Sequence, residues 1–281
     1  MLLIADSGST KTDWVLTDGG NHTSRFSTVG YNPSFINSEA IYLSVSQTLV
    51  LKFDASRVKK VFFYGADCST RENIAIVYKG LSRLFVNAEV FIGHDLLAAA
   101  RALLGSRRGF AAILGTGSNT CIYNGSEIEK NILPLGFLLG DEGSGSYIGK
   151  MILRDHMRGH LPEELELEFA KAYPMDPAKI FDSIYNRPFP NRFLSGFCRF
   201  ADTHQKHDHI NKIVKESFDI FFTNLVTRYP GHEALSFNCA GSVGFVFRDV
   251  LMEAATSHHM AIGKIIPSPI EDLVSYHLHN H

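Results

Sequence analysis

A chain of 281 residues, 45% hydrophobic and 20% charged, can bury a full core, and its length suggests two domains. Its formal net charge of −2 gives no basic footprint for nucleic acid or an anionic membrane, and no apolar run approaches the ~20 residues that span a bilayer. Cys68, Cys121, Cys198 and Cys239 share no C-x-x-C spacing, which argues against a local zinc or iron–sulfur motif and against a disulfide scaffold; a reducing cytoplasm is expected. Met1-Leu2-Leu3-Ile4-Ala5-Asp6 carries no basic region ahead of its apolar residues and reads as a buried strand, not a signal peptide.

In chain order, residues 2–5 and 13–17 read as strands around the polar turn Asp6-Ser7-Gly8-Ser9-Thr10-Lys11-Thr12. Such a turn can present N–H groups and hydroxyls to phosphate oxygens, with Lys11 adding positive charge, or it can be a plain hairpin turn. It is not a Walker A loop, because Thr10 stands where that motif needs glycine and a strand follows where it needs a helix. A third strand over 22–29 leads into Gly30-Tyr31-Asn32-Pro33. Asn32 can donate to and accept from a sugar hydroxyl, or simply open a turn before proline. A helix through Ile41, Val45 and Leu49, a buried strand over 58–65, a helix over 71–84 and a strand over 89–92 then alternate as βαβ crossovers do. Gly93-His94-Asp95 ends that strand ahead of a helix over 96–104, with His94 as a turn residue. Asp95 is thereby expected at the carboxyl end of a strand, where α/β sheets bind ligands, or as the helix N-cap.

Residues 110–114 and 119–123 flank Gly115-Thr116-Gly117-Ser118 and so repeat the layout of residues 2–16. Two such hairpins facing each other across a cleft would hold a nucleotide's phosphates from both sides. Asn124-Gly125 turns the chain into a strand over 126–131. Midway along the chain, Leu135-Gly136-Phe137-Leu138-Leu139-Gly140-Asp141-Glu142-Gly143-Ser144-Gly145 combines four glycines, two adjacent carboxylates and a serine just ahead of a helical pattern. It suits a polyhydroxylated ligand, with Asp141 and Glu142 accepting from hydroxyls, or a loop capped by Ser144. Residues 146–228 read as mostly helical, with a proline-rich linker over 187–190. His204, His207 and His209 could bind a metal but fit a solvated loop better. A strand over 234–239 runs into Ala240-Gly241-Ser242-Val243-Gly244, a turn against which adenine and ribose could lie, and a helix follows. A strand over 258–265, a break at Pro267-Ser268-Pro269 and a helix over 270–279 finish the chain, its terminal histidines read as frayed.

In this order and spacing the four turns and Asp95 resemble the sugar kinase, Hsp70 and actin superfamily, and within it the family of N-acetylglucosamine kinases and benzoyl-CoA reductase activator ATPases. The resemblance covers essentially the whole chain, and Leu139-Gly-Asp-Glu-Gly-Ser-Gly is its most specific part. It implies two ribonuclease-H-like, actin-like ATPase α/β domains, each a mixed five-stranded sheet with flanking helices: residues 1–104 plus 268–281, and 105–267, with a nucleotide cleft between them. It implies ATP and Mg²⁺. Asp95 would be the general base toward the sugar hydroxyl and Asp6 would orient hydrated Mg²⁺. Gly8, Ser9, Thr10 and Lys11 with Thr116, Gly117 and Ser118 would cradle phosphates, and Gly241 and Ser242 would lie along the adenosine. Asn32 and Asp141 would hold sugar hydroxyls, with Glu142 helping to shape that pocket. The activity implied is phosphorylation of an amino sugar, N-acetylglucosamine before glucosamine or a muramic-acid type sugar, with closure of the domains excluding water. An ATPase acting on a partner protein and a sugar-sensing regulator are the other readings; against the regulator, no DNA-binding segment precedes Met1-Leu2-Leu3. A homodimer is compatible with such an enzyme. Pro134-Leu135-Gly136-Phe137 departs from the aromatic Gly-Trp-Gly approach expected before the central loop, which bears on the identity of the sugar.

Overall fold

The computed structural model describes residues 1–20 and 22–280. The chain divides into two compact units, one of residues 1–107, 124–128 and 268–281, the other of 108–123 and 129–267.

In the first unit, β1 (Leu2–Ser7), β2 (Lys11–Thr17) and β3 (Thr23–Val29) make an antiparallel meander. β4 (Lys60–Gly65) and β5 (Glu89–His94) add in parallel on the other side of β1, giving the order β3-β2-β1-β4-β5. The crossovers are α1 (Ser38–Thr48) and α2 (Arg71–Ser82), whose N-caps Asn37 and Thr70 accept from Ala40 N and Asn73 N. Strand alternation puts Leu3, Ala5, Trp14, Val61 and Phe63 on one face, where they close a core with Ile41 and Val45 of α1 and Val77 and Leu81 of α2. Each fully buried side chain of this kind stabilises by roughly 1.5–3 kcal/mol relative to exposure. α3 (Asp95–Leu104) follows β5 directly.

The second unit repeats the plan. β6 (Gly109–Leu114) and β7 (Ser118–Tyr123) pair antiparallel, β8 (Ile128–Ile132) lies beside β7, and β9 (Ser236–Ala240) and β10 (Ala261–Ile266) add in parallel, in the order β10-β9-β6-β7-β8. Between β8 and β9 stand α4 (Gly136–Leu139), α5 (Gly145–Met157), α6 (Glu163–Ala172), α7 (Pro177–Tyr185), α8 (Pro190–Gly196), α9 (Cys198–Thr203) and α10 (Asp208–Asn224); α11 (Ser242–Val246) and α12 (Arg248–Ser257) connect β9 to β10. Both sheets are therefore the mixed five-stranded α/β sheets of an actin-like ATPase fold. Among the described residues, no helix is long and apolar enough to cross a membrane.

Several boundaries differ from expectation. β4 starts at Lys60 because Val58 closes a 3-10 turn over Ala55–Arg57, and β10 starts at Ala261 because His258, His259 and Met260 finish α12, the N–H of Met260 returning to Ala255 O at 2.9 Å. The terminal histidines are not all frayed. α13 (Ile270–Asn280) packs on the sheet face opposite the α1–α2 core, and His277 is fully buried, its ring 3.8 Å from Phe62 and its Nε2 2.9 Å from Tyr64 Oη. The last histidine, His281, lies outside the described residues.

Candidate functional site

In the first unit the parallel register aligns three strand ends. Ser7 pairs with Gly65 and Gly65 with His94, and the N–H of Ala66 bonds Ser7 O at 3.0 Å. Asp6, Asp67 and Asp95 thus emerge at one edge of the sheet, the edge at which such sheets take their ligands. Burial pushes the Asp6 carboxyl up to about 7, with the negative charges of Asp95 and Asp13 adding to the shift and Lys11 opposing it. Asp95 is also raised, by burial first, against the pull of His94 and of the Leu96 N–H, with the charge of Asp67 reinforcing the rise. Its side chain keeps 22% of its surface exposed, enough to meet a ligand. The N-cap of α3 is His94, whose Nδ1 accepts from Leu96 N at 3.1 Å; Asp95 is the first helical residue and shares that donor through Oδ1 at 2.8 Å. The expected turn role of His94 is corrected accordingly.

The turn between β1 and β2 is held from within. Gly8 N bonds Lys11 O at 3.0 Å, Ser7 Oγ and Thr12 Oγ1 lie 2.7 Å apart, and Tyr31 N donates to Ser7 Oγ at 3.0 Å. Gly30 packs on it so closely that a Cβ would collide with the backbone of Gly8 and Ser9. Lys11, largely exposed, pairs with Asp13 at 2.8 Å. Asn32, 6% exposed, is fully oriented: Oδ1 accepts from Ser34 N at 2.9 Å and Nδ2 donates to Asp67 Oδ2 at 2.8 Å.

In the second unit the turn Gly115–Ser118 is gripped by the central loop. Gly145 N and Ser146 N donate to Gly115 O at 2.8 Å and Thr116 O at 3.0 Å, and Ser118 N donates to Asp141 Oδ1 at 3.3 Å. Ser144 caps α5 as expected, and α4 occupies part of what reads as loop in the sequence. Asp141, 7% exposed, has a left-handed backbone with φ 55°; its carboxylate lies against Gly117, where a Cβ would sit 3.1 Å from Oδ2. Glu142 accepts from Asn224 at 2.8 Å. Among the described residues the hydroxyl of Ser118 finds no hydrogen-bond partner although it is buried, a donor suited to a phosphate oxygen. Gly241, with φ 131°, leads from β9 into α11 and admits no Cβ beside Leu114 O, so this turn and Gly115–Ser118 share one edge of the second sheet.

His204 and His207 lie in the turn between α9 and α10, as expected of a loop ahead of the long helix, and cap its two ends; His209 lies in the first turn of α10. Each is partly buried with its own carboxylate: Glu168 at 2.6 Å, Glu164 at 3.0 Å and Asp155 at 3.1 Å. Among the described residues, no group of three or more His, Cys, Asp or Glu is arranged to hold a metal. Sequence reading missed Asp67. Its signal was available, an acid two residues past a buried strand ending in glycine, but only the pairing of β1, β4 and β5 gives it meaning.

A candidate N-acetylglucosamine kinase from Porphyromonas gingivalis matches over 100% of both chains at 38% identity with a TM-score of 0.95. A second candidate N-acetylglucosamine kinase, from Chromobacterium violaceum, matches over 98% of both chains at 14% identity and 0.78. A ROK family glucokinase from Streptomyces griseus, solved with glucose and AMPPNP, shares the fold at 14% identity and 0.53, over 98% of this chain and 97% of that one. No family profile matches the chain, and no curated protein matches its sequence.

Proposed function

This chain belongs to the family of N-acetylglucosamine kinases and reductase-activator ATPases within the sugar kinase–Hsp70–actin superfamily, and on that premise we propose that it phosphorylates the primary hydroxyl of an amino sugar, N-acetylglucosamine, with ATP. The observation that carries this reading is the alignment of strand ends that brings Asp6 and Asp95 to one sheet edge beside a Gly-Ser-Thr turn.

Asp95 takes the proton of the attacking hydroxyl on its carboxylate. A base whose affinity for the proton is raised by burial is better matched to neutral pH than an ordinary aspartate. Asp6 would hold Mg²⁺ through water, and its crowding by Asp95 and Asp13 is a donor set that favours a divalent cation; bound Mg²⁺ supplies neutralisation of the phosphate charge. In the first unit Gly8, Ser9, Thr10 and Lys11 present donors to phosphate oxygens. In the second, Thr116, Gly117 and Ser118 do the same, the partnerless Ser118 hydroxyl fitting that role, while Gly241 and Ser242 line the adenosine. Asn32 and Asp141 orient the sugar hydroxyls, with Glu142 braced by Asn224 beside Asp141.

The test is to incubate the protein with Mg²⁺, ATP and N-acetylglucosamine and to locate the new phosphate by phosphorus–proton NMR correlation. A phosphate coupled to the C6 protons is expected; ADP formed without any phosphorylated sugar would overturn the reading.

A further inference from the structure

Asp67 takes no part in the reading above, yet three observations single it out. Its backbone is left-handed, φ 60°, two residues past β4, a conformation that few non-glycine residues adopt and that Asp takes where local hydrogen bonds hold it. The surroundings do hold it, since Asn73 Nδ2 of α2 donates to Asp67 O at 2.8 Å. Its carboxylate is then aimed at Asn32, taking one N–H of the amide at 2.8 Å while Ser34 N fixes the amide oxygen at 2.9 Å.

A primary amide has two N–H donors. With its oxygen turned to Ser34 and one N–H held by Asp67, Asn32 cannot flip, and its second N–H has a set direction. We propose that Asp67 is the positioning residue of the sugar site: it locks the Asn32 amide so that this second N–H meets a hydroxyl oxygen of the acceptor sugar. The inference rests on the kinase reading and deepens it. Without Asp67 the amide is held by the Ser34 N–H alone and its N–H group loses the acceptor that sets its direction, so sugar affinity falls without a change in the phosphate machinery. The charge of Asp67 also contributes to the raised proton affinity of Asp95, which places sugar orientation and the base at the neighbouring ends of β4 and β5.

The experiment is a double-mutant cycle on the full chain with Asp67→Ala, Asn32→Ala and the pair, reading KM for N-acetylglucosamine, KM for ATP, kcat and the melting temperature. Asp67→Ala is expected to raise the sugar KM by about tenfold or more, leave the ATP KM within about twofold, and be no worse when Asn32→Ala is also present, because the two act as one unit. Asp67→Asn keeps the shape and an acceptor oxygen and should fall between wild type and Asp67→Ala. Independent, additive effects of the two substitutions, or an unchanged sugar KM in Asp67→Ala, would overturn the proposal alone. A sugar KM that rises only in step with a lost melting temperature would assign Asp67 a purely structural role and overturn it as well. A wild type that no sugar activates would overturn the kinase reading and this one together.

Discussion

The turns that follow β1 and β6 occupy equivalent places in two sheets of the same strand order, yet they are built differently. The first is braced by its own hydroxyls and by Gly30, and it stands among carboxylates: Asp6, Asp13, Asp67 and Asp95 all belong to its neighbourhood. The second has one internal bond, Gly115 N to Gly117 O at 3.0 Å, and no bracing hydroxyl pair of its own among the described residues. It is otherwise held from outside, by the N–H groups that open α5 and by the carboxylate of Asp141, and the Ser118 hydroxyl is buried without a partner among the described residues. A duplicated frame has thus been divided by chemistry. The first turn sits where protons and cations are managed, the second where N–H and O–H groups gather for an anion.

That division can be broken or sharpened by substitution. The largest effect is expected at the base: Asp95→Asn should lower kcat by roughly 10²–10⁴-fold with both KM values little changed, measured as sugar-dependent ADP release. No mutation in the second turn should match it.

Next is the pH dependence of folding in the ligand-free protein. The Asp6 carboxyl sits at about 7 when folded against 3.8 unfolded, so the folded state binds this proton more tightly. Its contribution to stability is full below about pH 4 and is lost as pH rises through about 7, at about 1.4 kcal/mol per pKa unit of separation. Urea unfolding at pH 5 and pH 8 should show a decline that shrinks in Asp6→Asn; an equal decline in the variant would remove the carboxylate cluster from the account.

A glycine pair compares the two braces directly. Gly30→Ala forces a methyl into backbone and should cost about 1–3 kcal/mol, seen as a melting temperature lower by several degrees. Gly117→Ala meets only the Asp141 carboxylate at 3.1 Å, which can yield, so its expected effect is a higher sugar KM with less loss of stability. Equal melting losses would contradict the contrast. The smallest stability effect belongs to Ser118→Ala, which deletes a buried, unsatisfied hydroxyl. The melting temperature should hold or rise slightly while the ATP KM rises severalfold.

How much of this was legible in the sequence depends on how local each feature is. The strand-turn-strand units around Gly8 and Gly117 and the Ser144 cap read directly, because turn and cap chemistry lie within a few residues. The exchange of roles between His94 and Asp95 did not read, since both are good cap acceptors and one residue of shift decides. The short α4 within the central loop was missed because four residues carry no periodicity. His277 looked like part of a frayed terminus because nothing near it in the chain announces the aromatic face of β4 that buries it. Asp67 was missed for the same reason: its importance comes from Asn32, 35 residues earlier, and from Asp95, brought beside it by parallel pairing.

The measurement that tests the central claim most directly is ADP release from Mg²⁺-ATP across a panel of free sugars, with wild type and Asp95→Asn side by side. The account predicts strong stimulation by N-acetylglucosamine that disappears in Asp95→Asn. An ATPase rate indifferent to every sugar and to the loss of the Asp95 carboxylate would contradict it.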